Sequence, residues 1–121
     1  MSTVAITMYG IKNCDTVKKA RGWLDAYDVN YDFHDYKESG IDRPRLERWC
    51  KQLGWETLLN RAGTTFRKLP EADKKAADAR SAIALMLAQP ALIKRPVLEL
   101  EDGVLVGFKP ELYERLVRAT R

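Results

Sequence analysis

The chain has 121 residues, 45% of them hydrophobic and 31% charged, which is the composition of one soluble globular domain with no low-complexity tract. Its net charge of +4 is dispersed, so no basic stripe calls for nucleic acid, and no apolar run approaches the roughly 20 residues of a membrane span. Two cysteines and one histidine, far apart and without a secretory leader, give no zinc-site spacing and point to a reducing cytoplasm rather than a disulfide scaffold.

The run Val4-Ala5-Ile6-Thr7-Met8-Tyr9 is short, rich in β-branched residues and uncharged, and Gly10 closes it, so it predicts a buried strand. Val17, Ala20, Leu24 and Tyr27 then recur at helical spacing, which starts a helix at or beside Cys14. A helix N-terminus carries unpaired N–H groups and roughly half a positive charge, and both favour a thiolate over a thiol. Lys12 and Lys18 add positive potential on either side. These charged, turn-like flanks argue against a buried structural cysteine, and Cys14 reads as a reactive thiol.

Tyr31-Asp32-Phe33-His34-Asp35-Tyr36 alternates and predicts a second strand, parallel to the first across a βαβ unit. His34 on that strand reads as solvated or carboxylate-paired rather than catalytic. Lys37 to Arg43 reads as a polar turn, and Asp42 with Pro44 marks a helix start. Leu46, Trp49, Cys50 and Leu53 form an apolar stripe that Gly54 ends, so Cys50 is expected to be a core thiol. Leu58 to Arg67 has the look of a surface loop or helix cap, with Arg61 and Arg67 as solvated charges or anion contacts, the pattern alone favouring the former. Ala79, Ala82, Ile83, Met86 and Leu87 predict a helix ending before Pro90. Ile93 to Leu100 and Val104 to Phe108, joined through Asp102-Gly103, carry the signature of an antiparallel hairpin. Pro110 opens a last helix with Leu112, Tyr113, Leu116 and Val117 on its buried face. The sum is one α/β domain over 1–121: βαβ, a helical insertion at about 42–90, then ββα, with a mixed four-stranded sheet.

A strand, a thiol at a helix start and Arg95-Pro96 opening a later strand resemble the thioredoxin fold. In that fold a cis-proline lies beside the reactive cysteine, and the resemblance gives this place to Pro96. More narrowly, Tyr9-Gly10-Ile11-Lys12-Asn13-Cys14-Asp15-Thr16-Val17-Lys18-Lys19-Ala20 resembles the start of the bacterial ArsC/Spx arsenate reductase-like family, closest to its YffB-like branch. Phe33-His34-Asp35-Tyr36-Lys37, Leu58-Leu59-Asn60, Gly63-Thr64-Thr65-Phe66-Arg67 and Ile93-Lys94-Arg95-Pro96 extend the likeness over nearly the whole chain. The resemblance implies that a cysteine matching Cys14 attacks an oxyanion and that glutathione with glutaredoxin completes the reduction. An arginine matching Arg95 lowers the thiol pKa and binds the anion. The family's other two anion-binding arginines match less cleanly: Asn60 stands at one, with Arg61 shifted by one residue, and Lys109 at the other, ahead of Pro110. Lysine lacks the bidentate fork that arginine offers a tetrahedral oxyanion, which weakens arsenate as the substrate.

Val17 stands three residues after Cys14, so there is no Cys-x-x-Cys pair and no local resolving thiol. The expected function is that of a glutathione-linked monothiol reductase, in which the Cys14 thiolate attacks an oxidised sulfur or oxyanion and glutathione resolves the adduct. Lys12, Asn13, Arg95, Pro96, Arg61 and Lys109 form the candidate set around thiolate and ligand. Glutathione is the expected co-substrate and glutaredoxin a further partner; no metal, bound cofactor or membrane is expected, and the chain is expected to be a monomer. Two alternatives stand beside this: an arsenate reductase proper, and a non-enzymatic Spx-like regulator that binds RNA polymerase. Regulators of that kind usually carry Cys-x-x-Cys, which Val17 interrupts here. Spacing leaves open whether Cys50 reaches Cys14.

Overall fold

Among the described residues, four short strands and eight helices follow one another in nearly the order that periodicity and capping residues predict. The structure, a computed structural model of the chain, describes residues 6–75, 78–100 and 103–120, with 116–120 as backbone only. Among these the order is β1 (Thr7–Gly10), α1 (Asp15–Ala26), β2 (Asp32–Asp35), α2 (Tyr36–Ser39), α3 (Arg43–Leu53), α4 (Trp55–Leu58), α5 (Thr64–Arg67), α6 (Glu71–Lys74) and α7 (Ala79–Ala88). A 3₁₀ turn (Pro90–Leu92), β3 (Val97–Leu100), β4 (Gly103–Val106) and α8 (Pro110–Thr120) complete it. Val4 and Ala5 of the first expected strand, Asp102 of the expected turn and the side chains of Leu116 and Val117 lie outside the described residues. The chain divides into two compact units, one from residues up to Asp35 and from Arg95 onward, the other Tyr36–Lys94.

The first unit is a thioredoxin-like α/β fold around a mixed four-stranded sheet of order β2-β1-β3-β4. β1 runs parallel to β2 and antiparallel to β3, and β3 and β4 form the hairpin, with Leu100 paired to Gly103. Register places Met8 beside Phe33 on one side and Leu98 on the other, with Leu105 next in the row. One core gathers Ile6, Met8 and Leu98 from the sheet side, Val17, Ala20 and Leu24 from α1, and Tyr113 from α8. A Cβ on Gly10 would stand 2.9 Å from Val17 Cγ2, so only glycine lets α1 approach β1 this closely where the strand hands over to the Cys14 loop.

Several elements depart from expectation for local reasons. Tyr27 is 42% exposed, because α1 stops at Ala26 and Asp28 takes a positive φ of 56°; its ring instead lies 4.3 Å from that of Trp23. Tyr36 leaves the strand pattern and starts α2, where its buried hydroxyl donates to the Ile93 carbonyl at 3.0 Å. The ladder of β3 opens only at Val97, since Pro96 has no N–H to donate.

The second unit is helical. Asp42 caps α3 by accepting from the Arg45 N–H at 2.9 Å, Pro44 sits in the first turn, and Gly54, at φ 87°, ends the helix. Leu46 and Trp49 are fully buried, but Cys50 lies at the edge of that stripe and is only half-buried. Asp78 caps α7 in the same way through the Ser81 N–H at 2.8 Å. Leu58 and Leu59 are buried rather than in a surface loop: Leu59 and Ile93 form an antiparallel bridge, flanked by Lys94 N–H to Leu58 and Asn60 N–H to Leu92 carbonyl bonds, each 2.8 Å. Gly63 is the N-cap residue of α5, which matches the helix-cap reading of that stretch.

Candidate active site

Cys14 is the N-cap residue of α1, extended at φ −140° and ψ 123°, with its carbonyl accepting the Lys18 N–H at 2.9 Å. Serine, threonine or aspartate usually holds this place, and its side chain faces the orphan N–H groups of the first turn. Here the side chain is a thiol, half-buried. Burial pushes its pKa up, but the N–H of Val17, the guanidinium of Arg95 and the N–H of Thr16 favour the thiolate, and the net effect is a pKa below the ordinary thiol value. Cys50 is the internal contrast. Burial is the cause of its shift, and its pKa is raised. Both cysteines are free thiols.

Arg95 reaches the site from the residue that precedes β3. Its peptide bond to Pro96 is cis. Pro96 itself is buried, and its carbonyl accepts the Gly107 N–H at 2.8 Å, which ties this loop to the end of β4. Gly107 holds φ at 80°, a conformation that suits glycine. Lys12 and Asn13 are exposed in the loop that precedes Cys14. Lys109 is exposed, and its carbonyl accepts the N–H of Leu112 at 3.0 Å at the start of α8. Arg61 belongs to the helical unit, where its guanidinium lies 5.7 Å from the centre of the Trp55 ring. Asn60 accepts the Ala62 N–H at 3.2 Å.

Of the expected set, then, Arg95 is brought onto Cys14 together with backbone N–H groups of α1. One residue that sequence reading passed over holds the connection that leads to the thiol. Asp35, at the end of β2, is 7% exposed and accepts the Lys12 N–H at 3.1 Å. The ring of His34 lies 4.9 Å from that of Tyr9, its partner across the parallel ladder. In the helical unit, Thr64 and Thr65 line a cavity of about 260 Å³ with Lys68, Leu69, Pro70 and Gln89.

A strand, a cysteine at a helix start and an arginine before a later strand define a thioredoxin-like protein. The ArsC family model matches residues 9–116, and the chain belongs to the ArsC family. Among solved structures it is similar to a protein named YffB, with 63% identity, a TM-score of 0.91, and 93% of this chain and 99% of that one covered. It is similar also to an arsenate reductase (ArsC) related protein from Brucella melitensis, at 56% identity and a TM-score of 0.76, covering 95% and 96% of the two chains. A more distant relative is the global transcriptional regulator Spx of Streptococcus mutans, 25% identical over 88% of this chain and 78% of that protein.

No helix among the described residues is long and apolar enough to cross a membrane.

Proposed function

We propose that this chain is a glutathione-linked monothiol reductase of the cytoplasm with Cys14 as its nucleophile. The observation that carries the reading is the place of the half-buried Cys14 thiol at the N-cap of α1, where the N–H groups of Val17 and Thr16 and the guanidinium of Arg95 lower its pKa. Membership of the ArsC family and likeness to an arsenate reductase related protein support thiol-based reduction as the class of chemistry. In the proposed cycle the Cys14 thiolate attacks one sulfur of an oxidised substrate. The S–S bond breaks, the departing thiolate takes a proton from water, and Cys14 is left in a mixed disulfide. A glutathione thiolate then attacks that adduct, releases Cys14 as thiolate and carries the substrate fragment away as a disulfide of glutathione. Arg95 offsets the negative charge of the thiolate at the start and end of each step. Lys12, Asn13 and Lys109 are the proposed contacts for the carboxylates of glutathione, and glutaredoxin is a proposed partner in resolving the adduct. No cysteine follows Cys14 at a resolving spacing, so the second thiol is supplied from outside.

The test is intact mass followed by peptide mapping after exposure to oxidised glutathione near neutral pH. A rapid adduct confined to Cys14, absent in Cys14→Ser, is expected. Modification of Cys50 alone would sink the reading. A second reading, a regulator like Spx, draws on the likeness to that protein. Capture of RNA polymerase subunits by this chain, with no glutathione-dependent turnover, would favour it.

A further inference from the structure

Cys14 lies in a four-residue connection, Ile11 to Cys14, between β1 and α1, and a connection this short places its thiol only as well as its own backbone is held. Two supports are visible. At its far end the connection enters α1, where Lys18 N–H bonds to the Cys14 carbonyl at 2.9 Å. At its near end, Asp35 Oδ2 accepts the Lys12 N–H at 3.1 Å. The sheet itself sets up the second support. Parallel register pairs Gly10 with Asp35 as the last residues of β1 and β2, so Asp35 stands at the end of the sheet from which the Cys14 connection departs. Asp35 is only 7% exposed, and it is the one charged side chain among the described residues that is so buried. A carboxylate in that setting forms a stronger bond to an N–H than a neutral oxygen does, and burying it without need would be costly.

We propose that Asp35 is a positioning residue for Cys14: by holding the Lys12 peptide it fixes the connection so that the thiol meets the first-turn N–H groups and Arg95. The proposal rests on the reading of Cys14 as the reactive thiol. Asp35 works here against its own charge. As an anion at the same end of the sheet it opposes a thiolate, so its benefit comes through geometry and its electrostatic effect has the other sign. On its own segment the thiol has Lys12, Asp15 and Lys18 as neighbours in sequence, and Arg95 acts on it from the residue before β3. The two effects of Asp35 therefore separate between variants. Asp35→Asn keeps an acceptor for the Lys12 N–H and removes the charge. Asp35→Ala removes both.

The experiment titrates the rate of Cys14 alkylation by iodoacetamide against pH, in a Cys50→Ser background so that one thiol reports. Asp35→Asn is expected to titrate at or below the parent, and Asp35→Ala about one pH unit above it, which is about a tenfold loss of thiolate below the pKa. Partial loss of fold would lower Tm in both variants without this split. If Asp35→Ala does not fold, the near-isosteric Asp35→Leu takes its place in a site this buried. Hydrogen exchange of the Lys12 amide in the parent protein supplies a readout that needs no variant. A protected Lys12 amide is expected, and one that exchanges at the unprotected rate overturns the proposal. An Asp35→Ala or Asp35→Leu titration at or below the parent overturns it as well, while a parent Cys14 with an ordinary thiol titration overturns the functional reading instead.

Discussion

At the scale of single residues, the chain holds two thiols that burial affects alike and that their other surroundings drive apart. Cys50 is raised because burial acts on it unopposed, whereas at Cys14 the same effect is outweighed by Val17 N–H, Arg95 and Thr16 N–H. Alkylation of Cys14 should therefore rise with pH through a midpoint below the ordinary thiol value of 9.0, and that of Cys50 through a midpoint above it. Arg95→Ala should move the Cys14 midpoint up, and Arg95→Lys should move it up less, since a lysine keeps the charge and loses the planar fork. An unchanged midpoint in Arg95→Ala would leave the first-turn N–H groups as the whole cause. The same shift acts on stability. The Cys14 pKa is lower folded than unfolded, so its thiolate adds stability above the unfolded value, and that contribution fades as pH falls through the folded one. Cys14 was legible in the sequence because it stands at a break between elements, and Arg95 through the family resemblance of the motif around it. Asp35 was not. In the alternating run Tyr31 to Tyr36 it looks the same as Asp32, and only the parallel register, with the strand ending at Asp35, separates a buried acceptor from an exposed charge.

At the scale of elements, the contact between β1 and α1 controls how the thiol is presented. Gly10→Ala puts a methyl 2.9 Å from Val17 Cγ2, in a core where Val17 is fully buried and cannot swing away. The expected cost is about 1–3 kcal/mol of stability, as for overpacking in general, read from chemical denaturation at constant m-value. Because the strain falls on the first turn of α1, the alkylation rate of Cys14 should drop in the same variant; a stability loss with full thiol reactivity would detach the helix start from the packing beneath it. The strands, α1, α3, α7 and the hairpin were readable because their signals are local: a capping aspartate, a stop glycine, an apolar stripe, an Asp-Gly turn. What was not readable depends on partners distant in sequence. Leu58 and Leu59 look like part of a polar loop until Ile93 and Lys94 come alongside them, and Tyr36 fits a strand until its hydroxyl finds the Ile93 carbonyl 57 residues away. Ile93 fits β3 for the same reason, and the proline three residues later keeps it out of that ladder.

At the scale of the whole molecule, the balance of 21 lysines and arginines against 17 acidic residues bears on what the thiolate meets. A thiolate repels anions, and oxidised glutathione brings four carboxylates, so an attack at a useful rate needs positive potential to offset that repulsion. Lys12, Lys18 and Lys19 flank Cys14 in sequence and are exposed, and Arg95 stands against its sulfur. Exposed charges act over a Debye length of about 10 Å at 0.1 M salt and about 3 Å at 1 M, which makes their part in the encounter removable without mutation. The reaction of Cys14 with oxidised glutathione should slow several-fold across that range. Its reaction with a neutral disulfide such as hydroxyethyl disulfide should change much less, because no ligand charge is being steered. The comparison cancels any effect of salt on the thiol pKa, which both disulfides share. Equal salt dependence for the two would mean that these cations act on the thiol alone and do not attract the ligand, and the glutathione linkage would then lose its electrostatic basis while the activated cysteine kept its own.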